Sequence, residues 1–131
     1  MTPLLDRIDH IHVYVADREV SEPWYGEVLG LSRVPELEPW AADGGPLTIA
    51  NETGTIHLAL FERKPQPTRS TVAFGVTAPA FIAWRQHLVA ALDEPPKVED
   101  HQLAWSLYFS DPDGNPFEIT TFEYAGVEPL A

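Results

Sequence analysis

Apolar and polar residues alternate from Ile8 to Val15, which predicts a strand. Ile11, Val13 and Val15 take one face, and His10, His12 and Tyr14 the other. The first set suits packing against helices, and the second would line whatever the sheet curls around. A spacing of four follows at Val20, Trp24 and Val28, with Tyr25 and Leu29 beside them. It predicts a helix capped by Asp17, carrying Pro23 in its early turns and stopped by Gly30. Leu31 to Leu37 reads as a short strand, at an edge or bulged because of Pro35. Glu38 to Pro46 reads as a loop containing Trp40. Strands at Leu47 to Asn51 and Thr55 to Phe61 flank a hairpin turn at Glu52 to Gly54. On the second of these, His57, Ala59 and Phe61 lie opposite Ile56, Leu58 and Leu60.

The polar stretch through Pro65 and Pro67 reads as a linker. Thr71 to Thr77 predicts a strand. Pro79 then opens a helix from about Ala80 to Leu92, with a stripe of Phe81, Trp84, Leu88 and Leu92 and with His87 at its margin. Pro95 and Pro96 end it. Lys97 to Leu103 fits a short irregular strand and a turn. Ala104 to Ser110 alternates, Trp105, Leu107 and Phe109 against Ser106 and Tyr108. Asp111 to Asn115 is dense in turn formers. In the last strand, Phe117, Ile119 and Thr121 oppose Glu118, Thr120 and Phe122. Glu123 to Ala131 reads as a tail without a motif of its own.

Strand, helix and three strands therefore occur twice. This predicts an α+β fold of two βαβββ modules, residues 4–62 and 71–122, with a linker at 63–70 and a tail at 123–131. Together they would make one domain over 1–131 whose mixed sheet curls around a cavity. An offset of 61 residues lays His10 to Val15 on Thr71 to Val76, and Ile56-His57-Leu58 on Phe117-Glu118-Ile119. It singles out four matched positions: His10, His57, Thr71 and Glu118. Two neutral imidazoles and a carboxylate suit a divalent metal ion such as Fe, Zn, Mn, Ni or Co, with positions left open for substrate. The same side chains also suit a metal-free cavity wall, and Glu118 also suits a solvent-facing position. His12, Tyr14 and His101 are candidates for moving a proton or donating to a substrate oxygen. Trp40, Thr71, Trp105, Tyr108 and Phe122 are candidates for the wall of a substrate cavity.

Composition narrows the classes of function. The chain of 131 residues has no cysteine, which removes disulfides, thiolate metal sites and cysteine nucleophiles. Its net charge of −12 makes nucleic acid and anionic membranes poor partners and favours a cationic ligand. No window approaches the apolar length of a membrane span, and the first ten residues lack the pattern of a signal peptide. A small-molecule ligand and a cytoplasmic location are the expectation.

Four segments, in this order, carry a resemblance: Ile8-Asp-His-Ile-His-Val-Tyr-Val-Ala-Asp17, Trp24-Tyr25 with Val28-Leu29-Gly30-Leu31, Val72-Ala-Phe-Gly-Val76, and Asp111-Pro-Asp-Gly-Asn-Pro-Phe-Glu118. Over roughly residues 6 to 122 the chain resembles the vicinal oxygen chelate superfamily of glyoxalase I, fosfomycin resistance proteins, extradiol dioxygenases and bleomycin resistance proteins. The resemblance implies a glyoxalase-like fold and a homodimer. It also implies metal ligands from the first strand, the first strand of the second half and the last strand. His10 and Glu118 match the outer two, whereas Thr71 stands where a central histidine is usual. Glyoxalase I-like members can draw a ligand from the last strand of the first half, here His57. The implied function is a metal-dependent enzyme that chelates adjacent oxygens of a small oxygenated or aromatic substrate, as a lyase, isomerase or dioxygenase. The alternative is a metal-free protein that sequesters a cationic or aromatic natural product, as bleomycin resistance proteins do; the charge and Thr71 favour it. A third reading, a structural partner domain, predicts an occluded cavity and an exposed apolar interface.

Overall fold

The structure, a computed structural model, describes residues 1–66 and 70–127. The ends of the expected linker and tail, residues 67–69 and 128–131, lie outside it. The chain divides into two compact units, the first Met1–Pro65 and the second Gln66–Ala131.

In the first unit, strand β1 (Ile11–Val15) leads into helix α1 (Arg18–Leu29), β2 (Ser32–Arg33), a 3₁₀ turn (Pro35–Leu37), α2 (Glu38–Ala42), β3 (Leu47–Ala50) and β4 (His57–Glu62). The sheet order is β1-β4-β3-β2. β1 runs parallel to β4, and the other pairs are antiparallel. One face carries Val13, Val15, Leu47, Ile49, Leu58 and Leu60, all buried, as are Tyr25, Val28 and Leu29 of α1. Asp17 caps α1 by accepting from the Glu19 N–H at 2.9 Å, and Gly30 ends it with φ 71°, a conformation glycine adopts without a Cβ penalty. Pro23 lies inside the helix, beyond its first turn.

Three expectations change here. β1 begins at Ile11, because its partner β4 begins at His57 and Ile11 pairs with Leu58; Ile8 is 77 % exposed. Of Leu31 to Leu37 only Ser32 and Arg33 are strand, since Pro35 opens the 3₁₀ turn. The expected loop after Glu38 is helical as far as Ala42, with Pro39 in the first turn, where no proline N–H is needed.

The second unit repeats the order with β5 (Val72–Gly75), α3 (Ala78–Ala91), β6 (Lys97–Asp100), β7 (Trp105–Ser110) and β8 (Pro116–Thr121). Its sheet order is β5-β8-β7-β6, with β5 parallel to β8. Phe117, Ile119, Thr121, Leu107 and Trp105 are buried on the face that meets α3, where Phe81 and Leu88 are buried too. α3 starts at Ala78 because Thr77 Oγ1 accepts from the Ala80 N–H at 3.3 Å. The ambiguous stretch from Lys97 is β6 followed by a turn, in which Gln102 takes φ 69°.

The tail corrects another expectation. Glu123 Oε1 accepts from the Ala78 N–H at 2.8 Å, placing a carboxylate at the start of α3 where the helix dipole favours one. Tyr124 forms a 3₁₀ turn with Ala125 and Gly126, stacks on Trp105 at 5.5 Å, and donates to Asp100 at 2.7 Å. Val127 is buried, and a Cβ on Gly126 would meet the Ala78 Cβ at 2.8 Å. Residues 123–127 thus complete the second core.

The Asp111 turn is a closed structural unit. Asp111 is buried, and its carboxylate accepts from the Asp113 N–H at 2.9 Å, the Asn115 N–H at 2.8 Å and the Asn115 Nδ2 at 2.8 Å. Gly114 takes φ 84°. Among the described residues no helix is long and apolar enough to cross a membrane.

Candidate functional site

The polar side chains fall on the sheet face opposite each unit's helix. In the first unit, His12 pairs with Ala59 and Tyr14 with Phe61, so these residues share a face. His57 pairs with Ala50 on the other side of β4. Continuing the β1–β4 register one step back places His10 beside His57. His12 and Tyr14 are exposed, His57 half-buried. The His12 ring lies 4.7 Å from Phe61, and Tyr14 meets the same phenyl edge-on at 6.1 Å.

A hydrogen-bonded chain runs along this face. His10 Nδ1 lies 2.9 Å from Asp9 Oδ2, and His10 Nε2 lies 3.0 Å from His12 Nε2. An ionised carboxylate only accepts, so Nδ1 carries the proton. In a neutral His10 the Nε2 then holds the lone pair, and His12 Nε2–H donates to it. The hydrogen bond from His10 holds the Asp9 carboxyl below the usual carboxylate range, helped by Arg7 and by the imidazoles of His10 and His57.

In the second unit, Glu118 is half-buried on β8, between Ala73 of β5 and Tyr108 of β7. Ser106 Oγ lies 2.7 Å from Glu118 Oε2 and 3.1 Å from Thr120 Oγ1. Thr120 Oγ1 in turn donates to the Trp105 carbonyl at 3.0 Å. That uses the Thr120 proton, and the single Ser106 proton goes to the Glu118 carboxylate, the nearer acceptor. Tyr108 OH meets His101 Nε2 at 3.0 Å, joining the β6–β7 turn to the Glu118 face. The remaining candidates lie apart from these chains. Thr71 is exposed and precedes β5, Trp40 is 54 % exposed on α2, and Phe122 is 78 % exposed beyond β8. Trp105 lies on the helix side with Leu107, its ring against Tyr124.

The register corrects the offset of 61. Ile11 pairs with Leu58, 47 residues on, whereas Val72 pairs with Phe117, 45 residues on. If β1 matches β5 at the offset of 61, β4 matches β8 two residues out of step. Glu118 then corresponds to Ala59, and its neighbour on β5 is Ala73 where the offset put Thr71. The slip is even, so every side chain keeps its face.

Sequence reasoning missed Asp9, Ser106 and Thr120. Ser106 and Thr120 could have been found from the strand alternation that puts them beside Glu118; Asp9 offered only its adjacency to His10. Within neither unit do three His, Asp or Glu side chains among the described residues gather around one point. The arrangement supplies an imidazole lone pair backed by a carboxylate, a second imidazole within hydrogen-bond reach, and a carboxylate held by a hydroxyl. A cleft of the first unit, about 640 Å³ and lined by Arg18, Glu22, Arg33 and Leu47, opens on the helix side of the sheet and away from the histidines.

A comparison with curated proteins found no match. Solved structures share the fold. A protein assigned to the glyoxalase family from Bacillus anthracis superposes with a TM-score of 0.71 at 25 % identity, covering 93 % of this chain and 99 % of its own. The fosfomycin resistance protein FosX from Mesorhizobium loti gives a TM-score of 0.66 at 20 % identity, with 90 % and 93 % covered. A mutant FosX from Listeria monocytogenes, complexed with Mn(II) and 1S,2S-dihydroxypropylphosphonic acid, gives 0.64 at 14 % identity, with 88 % and 90 % covered. The model of the Glyoxalase/Bleomycin resistance protein/Dioxygenase superfamily matches residues 7–119, and the chain belongs to that superfamily.

Proposed function

We propose that this chain is a metal-dependent enzyme that acts on a small substrate through two neighbouring oxygens, with His10, His57 and Glu118 as metal ligands. The Asp9–His10 pair carries the reading. A carboxylate on Nδ1 fixes the tautomer that leaves Nε2 as the coordinating nitrogen, the arrangement that supports histidine ligands in metal sites. Two imidazoles and a carboxylate suit Fe, Zn, Mn, Ni or Co. Such an ion would polarise a substrate oxygen and stabilise negative charge developing on it.

The chain's own residues supply the rest. Ser106 holds one oxygen of Glu118 and leaves the other available. Tyr108 presents a phenol held by His101 beside Glu118, and His12 and Tyr14 present exposed polar groups beside His10. Each can carry a proton to or from a bound substrate. The Listeria FosX, complexed with Mn(II) and a vicinal diol, supports adjacent oxygens as the feature to be bound. The reading takes the chain as one domain, working as a homodimer.

Metal analysis of protein purified without an affinity tag tests this. The expected result is one divalent ion per chain, lost in His10→Ala and Glu118→Ala and weakened in His57→Ala. Protein with no measurable affinity for Fe(II), Mn, Ni, Co or Zn would overturn it. That outcome would instead support a metal-free sequestration protein, a reading favoured by the His12 hydrogen bond at the His10 Nε2.

A further inference from the structure

His10, just before β1, and His12, within it, stand two residues apart, and their imidazoles meet on one side of the chain. Their Nε2 atoms are 3.0 Å apart, and their rings are inclined by only 23°. Two nitrogens each about 2.1 Å from one ion would lie about 3.0 Å apart at the right angle of a square-planar or octahedral site. The spacing that accommodates a shared proton therefore also accommodates a shared metal ion, once the exposed rings turn their lone pairs to a common point. The His10 side chain is 44 % exposed and His12 is exposed, so that rotation meets no core packing. Asp9 accepts a hydrogen bond from His10 Nδ1–H from behind.

We propose that His10 and His12 form a two-imidazole clamp for a divalent transition-metal ion, built within the first unit, with Asp9 as the positioning residue for His10. The proposal rests on the reading of His10 as a ligand and changes its partner: His12 becomes a ligand, where it stood as a candidate proton carrier. Binding requires the other tautomer of His12: the proton moves by way of solvent from Nε2 to Nδ1, so the ligand stays neutral and no net proton is released. Two neutral imidazoles favour the later first-row ions, Ni(II), Cu(II) and Zn(II), over Mn(II). Phe61 against the His12 ring limits where that imidazole can swing.

The test is a calorimetric titration of the full chain with Zn(II) and Ni(II), together with ¹⁵N NMR of the imidazoles. In the wild type, Zn(II) should shift the Nε2 resonances of both His10 and His12. His12→Ala should weaken binding by at least about tenfold, and Asp9→Asn by about ten- to a hundredfold, the range typical of a lost partner behind a ligand. A wild-type spectrum in which Zn(II) shifts His10 and leaves His12 unmoved overturns the clamp without any variant having to fold. If His57→Ala and Glu118→Ala then abolish binding, the function proposed above stands and only the clamp falls. If His12→Ala weakens binding while His57→Ala and Glu118→Ala leave it unchanged, the clamp stands and that ligand set falls. A wild type that binds neither ion overturns both.

Discussion

The two units share one plan and differ in what they place on it. Each has a parallel pair, a crossover helix and two further antiparallel strands. Each buries the helix-side face and carries its histidine, tyrosine and glutamate candidates on the other, among apolar neighbours such as Ala59 and Phe61 in the first unit and Ala73 in the second. In the first unit that other face holds a carboxylate and two imidazoles joined end to end in the open. In the second it holds Glu118, half-buried and held by a serine hydroxyl, and Glu99, paired with Lys97 at 2.9 Å. The turns before β4 and β8 repeat the contrast. Asn51 and Asp111 each fold their side chain back over a turn closed by a glycine at positive φ, but Asn51 is half-buried and Asp111 is buried. A duplicated backbone therefore constrains the faces closely and the polar chemistry hardly at all. The face follows from strand alternation, and the chemistry depends on single side chains.

The largest effect probes the shared core. Leu60 and Leu107 are both fully buried on the helix sides of their sheets. Leu60→Ala and Leu107→Ala should each cost about 2–5 kcal/mol, as buried leucine truncations do. Urea unfolding followed by the fluorescence of Trp24 and of Trp105 would check this. Separate transitions would mark the units as independently cooperative, and one common transition would mark them as coupled.

A smaller effect separates the turns. Asp111→Ala removes a buried acceptor of three hydrogen bonds and should cost about 2–3 kcal/mol. Asn51→Ala, at a more exposed turn, should cost about 1 kcal/mol. Equal losses would contradict the difference in burial.

The smallest effect belongs to the first unit. Arg33 meets Glu22 through two short contacts, at 2.6 and 2.7 Å. The Arg33 hydrogen bond holds the Glu22 carboxyl below its usual value of 4.5. The pair's contribution is therefore complete above that value and lost as pH falls through the lower, folded value. With the two side chains 46 % and 26 % exposed, Glu22→Gln should cost only about 0.5–1 kcal/mol at pH 7. The gap between variant and wild type should close in urea titrations carried down to pH 3. A gap that stays constant would show that the pair contributes nothing.

Most of the fold was legible in the chain. Alternation and the spacing of four placed α1, α3 and most strands, because those periods follow from which face is buried. Proline, glycine and Asp17 marked boundaries for local steric and hydrogen-bonding reasons. Of the candidate site, the residue types and their faces were legible, and so was the membership of the superfamily. The packed tail was not, because Glu123, Tyr124 and Gly126 acquire their roles only from Ala78, Asp100 and Trp105, far away in the chain. The two-residue slip was also hidden. Register is a property of paired strands, and an even shift leaves the alternation of each strand unchanged.

The sequence by itself determined the two-fold element order and the side of each sheet on which His10, His12, His57 and Glu118 lie. Tertiary structure decided which neighbours they meet. Asp9 reaches His10, His10 reaches His12, and Ser106 reaches Glu118, because hydrogen bonds depend on distances and rotamers that alternation does not specify.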